Sequence, residues 1–432
     1  MRFFRNLNLS LFILLLLILA ACERRSTPTP TPTATTPADT PTAEPRPTST
    51  ATRPPTPLPS PVDPTDEPEP TPSVTPEETE EAEEPEDDMT FASPEFGIQA
   101  FMWWKPDIAL RDLELIQDME FGWVKQAFAW RDIEGIKKGE PDWWRPDFIV
   151  DAVEDAGLKL LVRIDRQPFW THPDEPPQEN RPPDNLADFG DFCWALADRY
   201  QGRIAAYQVW NEPNLSREWG DRPPDPAEYT ELLKICYEAI KEADPDAIVI
   251  SAGLAPTGTQ LPDAIPDDEF LQGMYDAGAG DYFDVLGLNA PGYKAPPETA
   301  PEEAAESEEY GNGRWFAFRH VEDMRQIMVE NGDEEKQIAI LEVGWTTDTV
   351  NDTYSWHAVT EEEQAEYLVG AYEYAAEHWR PWIGLMVTIY IADYFWTPEE
   401  HEQWWWAIVL PDGTPRPAYE ALRDMRLENG AP

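Results

Sequence analysis

The chain has 432 residues, and its 84 Asp and Glu against 32 Lys and Arg leave a formal net charge of −52 at pH 7. This balance argues against nucleic acid as a partner, because phosphate binding needs a basic face. It argues equally against electrostatic attraction to anionic lipid. The three cysteines and five histidines form no cluster with zinc-ligand spacing, so we expect neither a metal nor a cofactor.

The first 22 residues have the pattern of an export signal. Arg2 and Arg5 precede an apolar segment at 9–19 that is too short to span a bilayer comfortably. The segment ends in LAAC, with Cys22 last, which resembles a bacterial lipobox and implies cleavage before Cys22 and acylation of its thiol. The protein would then be held at the cell surface, outside the cytoplasm, by lipid. An ordinary signal peptide with an incidental cysteine is the alternative.

Residues 23–93 have the composition of a disordered tether. Thr-Pro repeats at 27–72 are followed by an acidic run at 77–88. Such a segment cannot bury a core and favours extended conformations. The folded domain is therefore predicted at 94–428, and we expect it to act as a monomer.

Strands and helices alternate along this domain. Eight short apolar runs bounded by turn residues have the composition of buried parallel strands. They cover residues 96–103, 123–130, 158–165, 205–211, 247–253, 283–289, 338–342 and 385–392. Helical spacing of apolar residues predicts helices at 146–156, 189–200, 229–243, 316–330, 361–378 and 418–426.

Eight such units close into a (β/α)₈ barrel, which is an α/β fold. An open doubly wound sheet is the alternative, but no Gly-rich phosphate loop follows the first strand. The longest excursion, 295–312, is either a lid or an acidic surface loop. Cys193 and Cys236 lie in two successive helical patterns, and they form either a disulfide or two buried thiols.

Two glutamates mark the ends of apolar strands. Glu212 follows the fourth strand in AAYQVWNEPN, and Glu342 ends the seventh in QIAILEVGWTT. The carboxyl ends of barrel strands form the face where such folds keep their chemistry. Two carboxylates at one barrel mouth are what hydrolysis of a glycosidic bond requires.

The motifs WNEPN and LEVGW resemble those of clan A glycoside hydrolases, and the run from about residue 96 to 427 is similar to glycoside hydrolase family 39 or family 5. The resemblance implies a retaining enzyme that cleaves β-glycosidic bonds of extracellular poly- or oligosaccharides. Glu212 would be the general acid/base and Glu342 the nucleophile. Asn211 would bind the 2-hydroxyl of the sugar, and Tyr293 would orient the nucleophile, with Tyr310 and Tyr390 as competitors.

Other residues are predicted to contact the substrate. Asn289 stands near the end of strand six, where many relatives have a histidine. Trp130, Trp345 and Trp396 follow strand ends, where flat rings suit the apolar faces of pyranoses. Trp103, Trp104 and Trp170 also follow strand ends, and at least two of Trp404, Trp405 and Trp406 are expected to pack under the last helix.

Three charged residues, Lys125, Arg163 and Asp165, lie within apolar strands and are expected to support the glutamates rather than touch the sugar. Two other functions use the same residues. A non-catalytic carbohydrate-binding lipoprotein would keep the site without turnover. A transglycosylase would use both glutamates but pass the sugar to an acceptor other than water.

Overall fold

A computed structural model describes residues 90–174, 178 and 180–429. The predicted signal segment with Cys22 lies outside these residues, as does all of the predicted tether before residue 90. Phe91 is buried. Its backbone amide donates to the side-chain oxygen of Gln337, and its carbonyl accepts from the side-chain nitrogen of Gln337. The fold therefore extends at least to Phe91, because an apolar ring inside the barrel's base cannot belong to a solvated tether.

Eight strands form the centre of the molecule. They are β1 (Glu95–Gln99), β2 (Trp123–Ala129), β3 (Lys159–Asp165), β4 (Ala206–Val209), β5 (Ile248–Ile250), β6 (Leu286–Pro291), β7 (Ile338–Gly344) and β8 (Ile383–Thr388). All pair in parallel, in the order β5-β4-β3-β2-β1-β8-β7-β6. Parallel bridges from Ile250 to Val285 and from Leu254 to Leu288 join the two edges. The predicted (β/α)₈ barrel is confirmed.

Helices surround the barrel. They are α1 (Pro106–Asp118), α2 (Trp130–Ile133), α3 (Trp144–Asp155), α4 (Leu186–Arg199), α5 (Pro226–Ala243), α6 (Asp267–Asp276), α7 (Pro301–Glu306), α8 (Val321–Glu330), α9 (Glu361–His378), α10 (Gln403–Trp406) and α11 (Pro417–Asn429). Local sequence sets several of their starts. Asp225 accepts bonds from two amides of α5, and Thr360 and Glu363 form a capping box on α9.

Five helices were not predicted: α1, α2, α6, α7 and α10. Of these, α1 has a helical spacing of buried residues at Ala109, Leu113 and Ile116. The 295–312 excursion contains the short helix α7, which Glu302 ties to Arg314 at 2.8 Å. Within the described part of the chain, no helix has the length and apolar character needed to cross a membrane.

The core has two layers. Side chains inside the barrel include Leu161, Leu341 and Val387, and the Phe91 and Trp123 rings pack at its amino-terminal end. A larger layer lies between the barrel and the helices. Because strand side chains alternate, each strand contributes to both layers.

A disulfide joins α4 to α5. Cys193 and Cys236 are bonded, with Cα atoms 5.5 Å apart and a sequence separation of 43 positions. Both are fully buried. The sequence left open whether the two cysteines form a disulfide or remain buried thiols, and the structure shows the disulfide. The two helices pack side by side and bring the thiols within bonding distance.

His320 precedes α8 as a buried side chain between two aspartates. Its Nδ1 lies 2.8 Å from Asp323 and its Nε2 lies 3.2 Å from Asp267. Burial lowers the pKa of His320, but the two carboxylates outweigh that effect and raise it to about 10. The charged imidazolium therefore ties the start of α6 to α8.

Candidate active site

A cavity of 640 Å³ opens at the carboxyl ends of the barrel strands. It is lined by residues that end or follow β1, β3 and each strand from β4 to β8. Glu212 and Glu342 both line it. The fold thus brings together two glutamates separated by 130 positions in the sequence, because the ends of parallel barrel strands meet at one mouth.

Glu212 lies in a tight turn directly after β4. Its φ is 42° and that of Trp210 is 73°, and each such non-glycine conformation costs about 1–3 kcal/mol. The turn is held by the Glu212 amide, which donates to the Gly253 carbonyl at 3.1 Å. The surrounding structure therefore supports a backbone conformation that the glutamate alone would disfavour.

Two donors reach the Glu212 carboxyl. Asn289 Nδ2 donates to Oε1 at 3.0 Å, and Arg217 Nη2 donates to Oε2 at 2.9 Å. Burial raises the pKa of Glu212; Arg217 opposes the rise, and the charge of Glu342 adds to it. The net effect is a raised pKa, which favours a carboxyl that keeps its proton at higher pH than an ordinary glutamate.

Glu342 lies within β7 in a different electrostatic setting. Lys125 Nζ is 3.5 Å and Arg163 Nη1 is 3.8 Å from its Oε1. Lys125 is buried and also donates to the Leu341 carbonyl at 3.0 Å. Burial lowers the pKa of Lys125 to about 8, while Glu342 counteracts it. The two cations compensate the negative charge of Glu342 inside the barrel.

Arg163 also connects two further polar groups. Its Nε lies 2.9 Å from Asp165, and its Nη1 donates to Asn211 Oδ1 at 3.4 Å. Gln208 donates to the same Asn211 oxygen at 3.4 Å. With its oxygen bound on both sides, the Asn211 amide can offer its NH₂ group to a hydroxyl in the cavity.

Three further residues that the sequence analysis singled out line the cavity: Tyr293, Asn289 and Trp396. The Tyr293 hydroxyl donates to the Pro256 carbonyl at 3.0 Å rather than to Glu342. Tyr390 also lines the cavity, and burial and the nearby charge of Glu342 both raise its pKa. The charge of Glu342 therefore acts on Tyr390, whereas Tyr293 is hydrogen-bonded to a backbone carbonyl.

Two of the predicted aromatic contacts require correction. Trp130 is fully buried among aromatic rings of α4, and its Nε1 donates to Glu134 at 2.7 Å. Trp345 is also fully buried, and its Nε1 donates to the Ala295 carbonyl at 3.0 Å. Neither lines the cavity, because both rings point from the strand ends into the layer beneath the helices.

The structure adds cavity residues that the sequence did not indicate. Glu218 and Glu402 line the cavity, and burial raises the pKa of each to about 7. Arg217 and Arg166 also line it. All four lie in connections that follow barrel strands, a position that could have marked them as candidates. Of the three successive tryptophans, only Trp406 lines the cavity.

No group of three His, Cys, Asp or Glu residues within the described ranges is arranged to hold a metal ion. The groups in the cavity include the Glu212 and Glu342 carboxyls with their hydrogen-bonding and charged partners. Glu212 can hold and release a proton, and Glu342 presents a charge-compensated carboxylate across the same space.

Residues 84–275 match the family model described as cellulase, glycosyl hydrolase family 5. No curated protein matches the chain.

Solved structures share the fold. A family 39 glycoside hydrolase from Bacteroides cellulosilyticus WH2 superimposes with a TM-score of 0.59 at 21% identity, over 77% of this chain and 63% of that protein. This chain thus spans less than two thirds of that relative. GH5_18 from Streptomyces cattleya gives 0.60 at 14% identity, over 79% and 82%. Xylanase 10B from Thermotoga maritima gives 0.52 at 15%, over 78% and 96%.

Proposed function

We propose that this chain, a glycosidase that resembles the clan A glycoside hydrolases, cleaves β-glycosidic bonds of poly- or oligosaccharides with retention of anomeric configuration. The observation that carries the proposal is the pairing of Glu212 and Glu342 in one cavity with different surroundings. Burial raises the pKa of Glu212, whereas two cations face Glu342. A proton donor and a carboxylate nucleophile need these two environments.

The first step forms a covalent intermediate. Glu342 attacks the anomeric carbon while Glu212 gives its proton to the glycosidic oxygen, so the leaving alcohol departs neutral. Lys125 and Arg163 hold the attacking carboxylate in place. Asn211 is positioned to bind the sugar hydroxyl next to the anomeric carbon.

The second step releases the sugar. Once Glu342 is an ester, its charge no longer faces Glu212, and the ionised Glu212 can take a proton from water. The water oxygen bonds to the anomeric carbon and the ester bond breaks. Glu342 returns as a carboxylate and Glu212 as an acid. Two inversions give net retention.

The stereochemistry of the product tests this proposal. Purified protein is incubated with aryl β-glycosides, and the first anomer formed is followed by proton NMR; we expect the β anomer first. Glu342→Ala should lower kcat by roughly 10⁵-fold. Initial formation of the α anomer, or normal turnover by Glu342→Ala, would refute the mechanism. Adding an acceptor sugar separates hydrolysis from transfer, because transfer gives longer products.

We also propose that the enzyme acts outside the cytoplasm, anchored by lipid on Cys22. The proposal depends on the LAAC sequence after the apolar segment. Expressed in a bacterial host, the full chain should partition with membranes, and Cys22→Ser should release it into the soluble extracytoplasmic fraction. Equal membrane association of both forms would contradict acylation at Cys22.

A further inference from the structure

Two large indoles are exposed in the connections that follow the first two barrel strands. Trp104 follows β1, and Trp144 begins α3, which follows β2; their exposed fractions are 47% and 54%. Both connections leave the carboxyl ends of strands, so both indoles lie on the same face of the barrel as Glu212 and Glu342. Neither indole lines the catalytic cavity.

One guanidinium joins the two rings. The Arg145 guanidinium carbon lies 5.6 Å from the ring centre of Trp104 and 5.4 Å from that of Trp144, within cation–π range. Its buried Nε has no hydrogen-bond partner within the described residues. We call Trp104, Arg145 and Trp144 the indole patch. The shared cation fixes two rings that would otherwise be independent exposed side chains.

The indole patch adjoins the cavity. Phe101 lines the cavity and precedes Trp104 by three residues, so their Cα atoms are at most about 11 Å apart. Asp132 is close enough to both Arg145 and Arg166 for its charge to interact with each, and Arg166 lines the cavity. A ligand longer than the cavity could therefore continue onto the patch.

We propose that the indole patch binds a polysaccharide chain whose neighbouring segment occupies the catalytic cavity. The choice of a saccharide as the ligand rests on the proposed function. Pyranose rings present flat CH faces that pack on indoles, and their hydroxyls accept hydrogen bonds from a guanidinium. A cation between two aromatic rings suits such a ligand, which alternates apolar faces with hydroxyls. The substrate is then a polymer rather than a short oligosaccharide.

Affinity electrophoresis tests the binding. A Glu342→Gln background prevents cleavage, and native gels contain soluble xylan, mixed-linkage β-glucan or glucomannan. The Trp104→Ala/Trp144→Ala pair should weaken retardation by about fivefold or more, since buried tryptophan contacts dominate binding surfaces. Trp194→Ala is the matched control, because Trp194 is 41% exposed but lies on the outer helix α4; its retardation should equal that of the parent.

Kinetics of the active enzyme give a second readout. The double variant should keep the kcat/KM of the wild type on a short aryl glycoside, which also shows that it folds, while its KM for the retarding polymer rises about fivefold. No retardation of the parent by any of the three polymers would overturn the proposal. So would equal retardation of parent and double variant, or a dimer in solution that depends on the two tryptophans.

The two proposals can fail separately. If retardation depends on Trp104 and Trp144 but the wild type releases no reducing sugar from any polymer or aryl glycoside, the proposed function fails and the binding surface stands. If the wild type cleaves these substrates with retention and the double variant does so equally well on polymer and short substrate, the binding surface fails alone.

Discussion

Arg217 offers a quantitative test of the acid role of Glu212. Its guanidinium donates to the Glu212 carboxyl at 2.9 Å and stabilises the ionised form. Arg217 is 67% exposed, whereas Glu212 is 15% exposed. Arg217→Ala therefore removes a charge without opening the core, and we expect it to change protonation of Glu212 more than the stability of the fold.

The size of the effect follows from the geometry. Two unit charges 2.9 Å apart interact by about 1.4 kcal/mol at the dielectric constant of water, which is the appropriate limit because Arg217 is largely solvated. That energy is about a tenfold change in a protonation equilibrium. Since the cation favours the ionised form, its removal raises the pKa of Glu212. A general acid must be protonated, so activity should persist to higher pH.

The assay is the pH dependence of kcat/KM on a substrate with a poor leaving group, whose alkaline limb reports the acid of the free enzyme. We expect Arg217→Ala to move this limb upward by about one pH unit. Arg217→Lys should move it less, because it keeps a cation.

Arg222→Ala is the matched control for this experiment. Arg222 lies five residues further along, pairs with Glu228 at 2.5 Å and does not line the cavity. Arg222→Ala should therefore leave the alkaline limb of the kcat/KM profile unchanged. An unchanged limb in Arg217→Ala, or a shift to lower pH, would show that Glu212 is not the acid whose ionisation limits the rate.

Three further changes have defined outcomes. Glu212→Ala should slow the cleavage of substrates with poor leaving groups by about 10²–10⁴-fold. The first step on aryl glycosides with good leaving groups should slow much less, and equal losses on both kinds of substrate would contradict an acid role. Replacing Cys193 and Cys236 by Ala should lower the free energy of unfolding by up to about 4 kcal/mol, judged from the 43-residue separation; an unchanged urea midpoint would show that the bond contributes nothing. His320 has a folded pKa of about 10 against an ordinary value of 6.5. Its contribution to the free energy of unfolding is therefore complete below about pH 6.5 and is lost as pH rises to about 10. Urea titrations at several pH values should show this decline in the wild type but not in His320→Gln.

The positions of the strands could be predicted from the sequence, but their ends could not. The run at 159–165 forms β3 almost as predicted, whereas β5 pairs only over Ile248–Ile250 within the predicted 247–253. Apolar composition marks a buried segment. Where the ladder stops depends on the partner strand: Ile250 and Leu254 form isolated parallel bridges to Val285 and Leu288, outside the continuous ladder of β5.

The environment of each glutamate also lay beyond the sequence. Lys125 and Arg163 were recognised as charges inside strands, and the expected supporting role agrees with their positions beside Glu342. The sequence analysis did not predict that Arg217 and Asn289 donate hydrogen bonds to the Glu212 carboxyl. Arg217 lies in the connection that follows β4, whereas Asn289 lies within β6. Both contacts depend on the turn that carries Glu212, and no periodicity encodes the conformation of such a connection.

The sequence by itself determined that two glutamates stand at the ends of parallel strands, and the parallel arrangement of a barrel requires such ends to meet at one mouth. Only the tertiary structure decided which side chains join them there. Trp130 and Trp345 follow strand ends just as Trp396 does, yet two rings enter the core and one faces the cavity. The physical reason is that a chain turning out of a strand can direct its next side chain to either side, and the packing of neighbouring helices and loops selects between them.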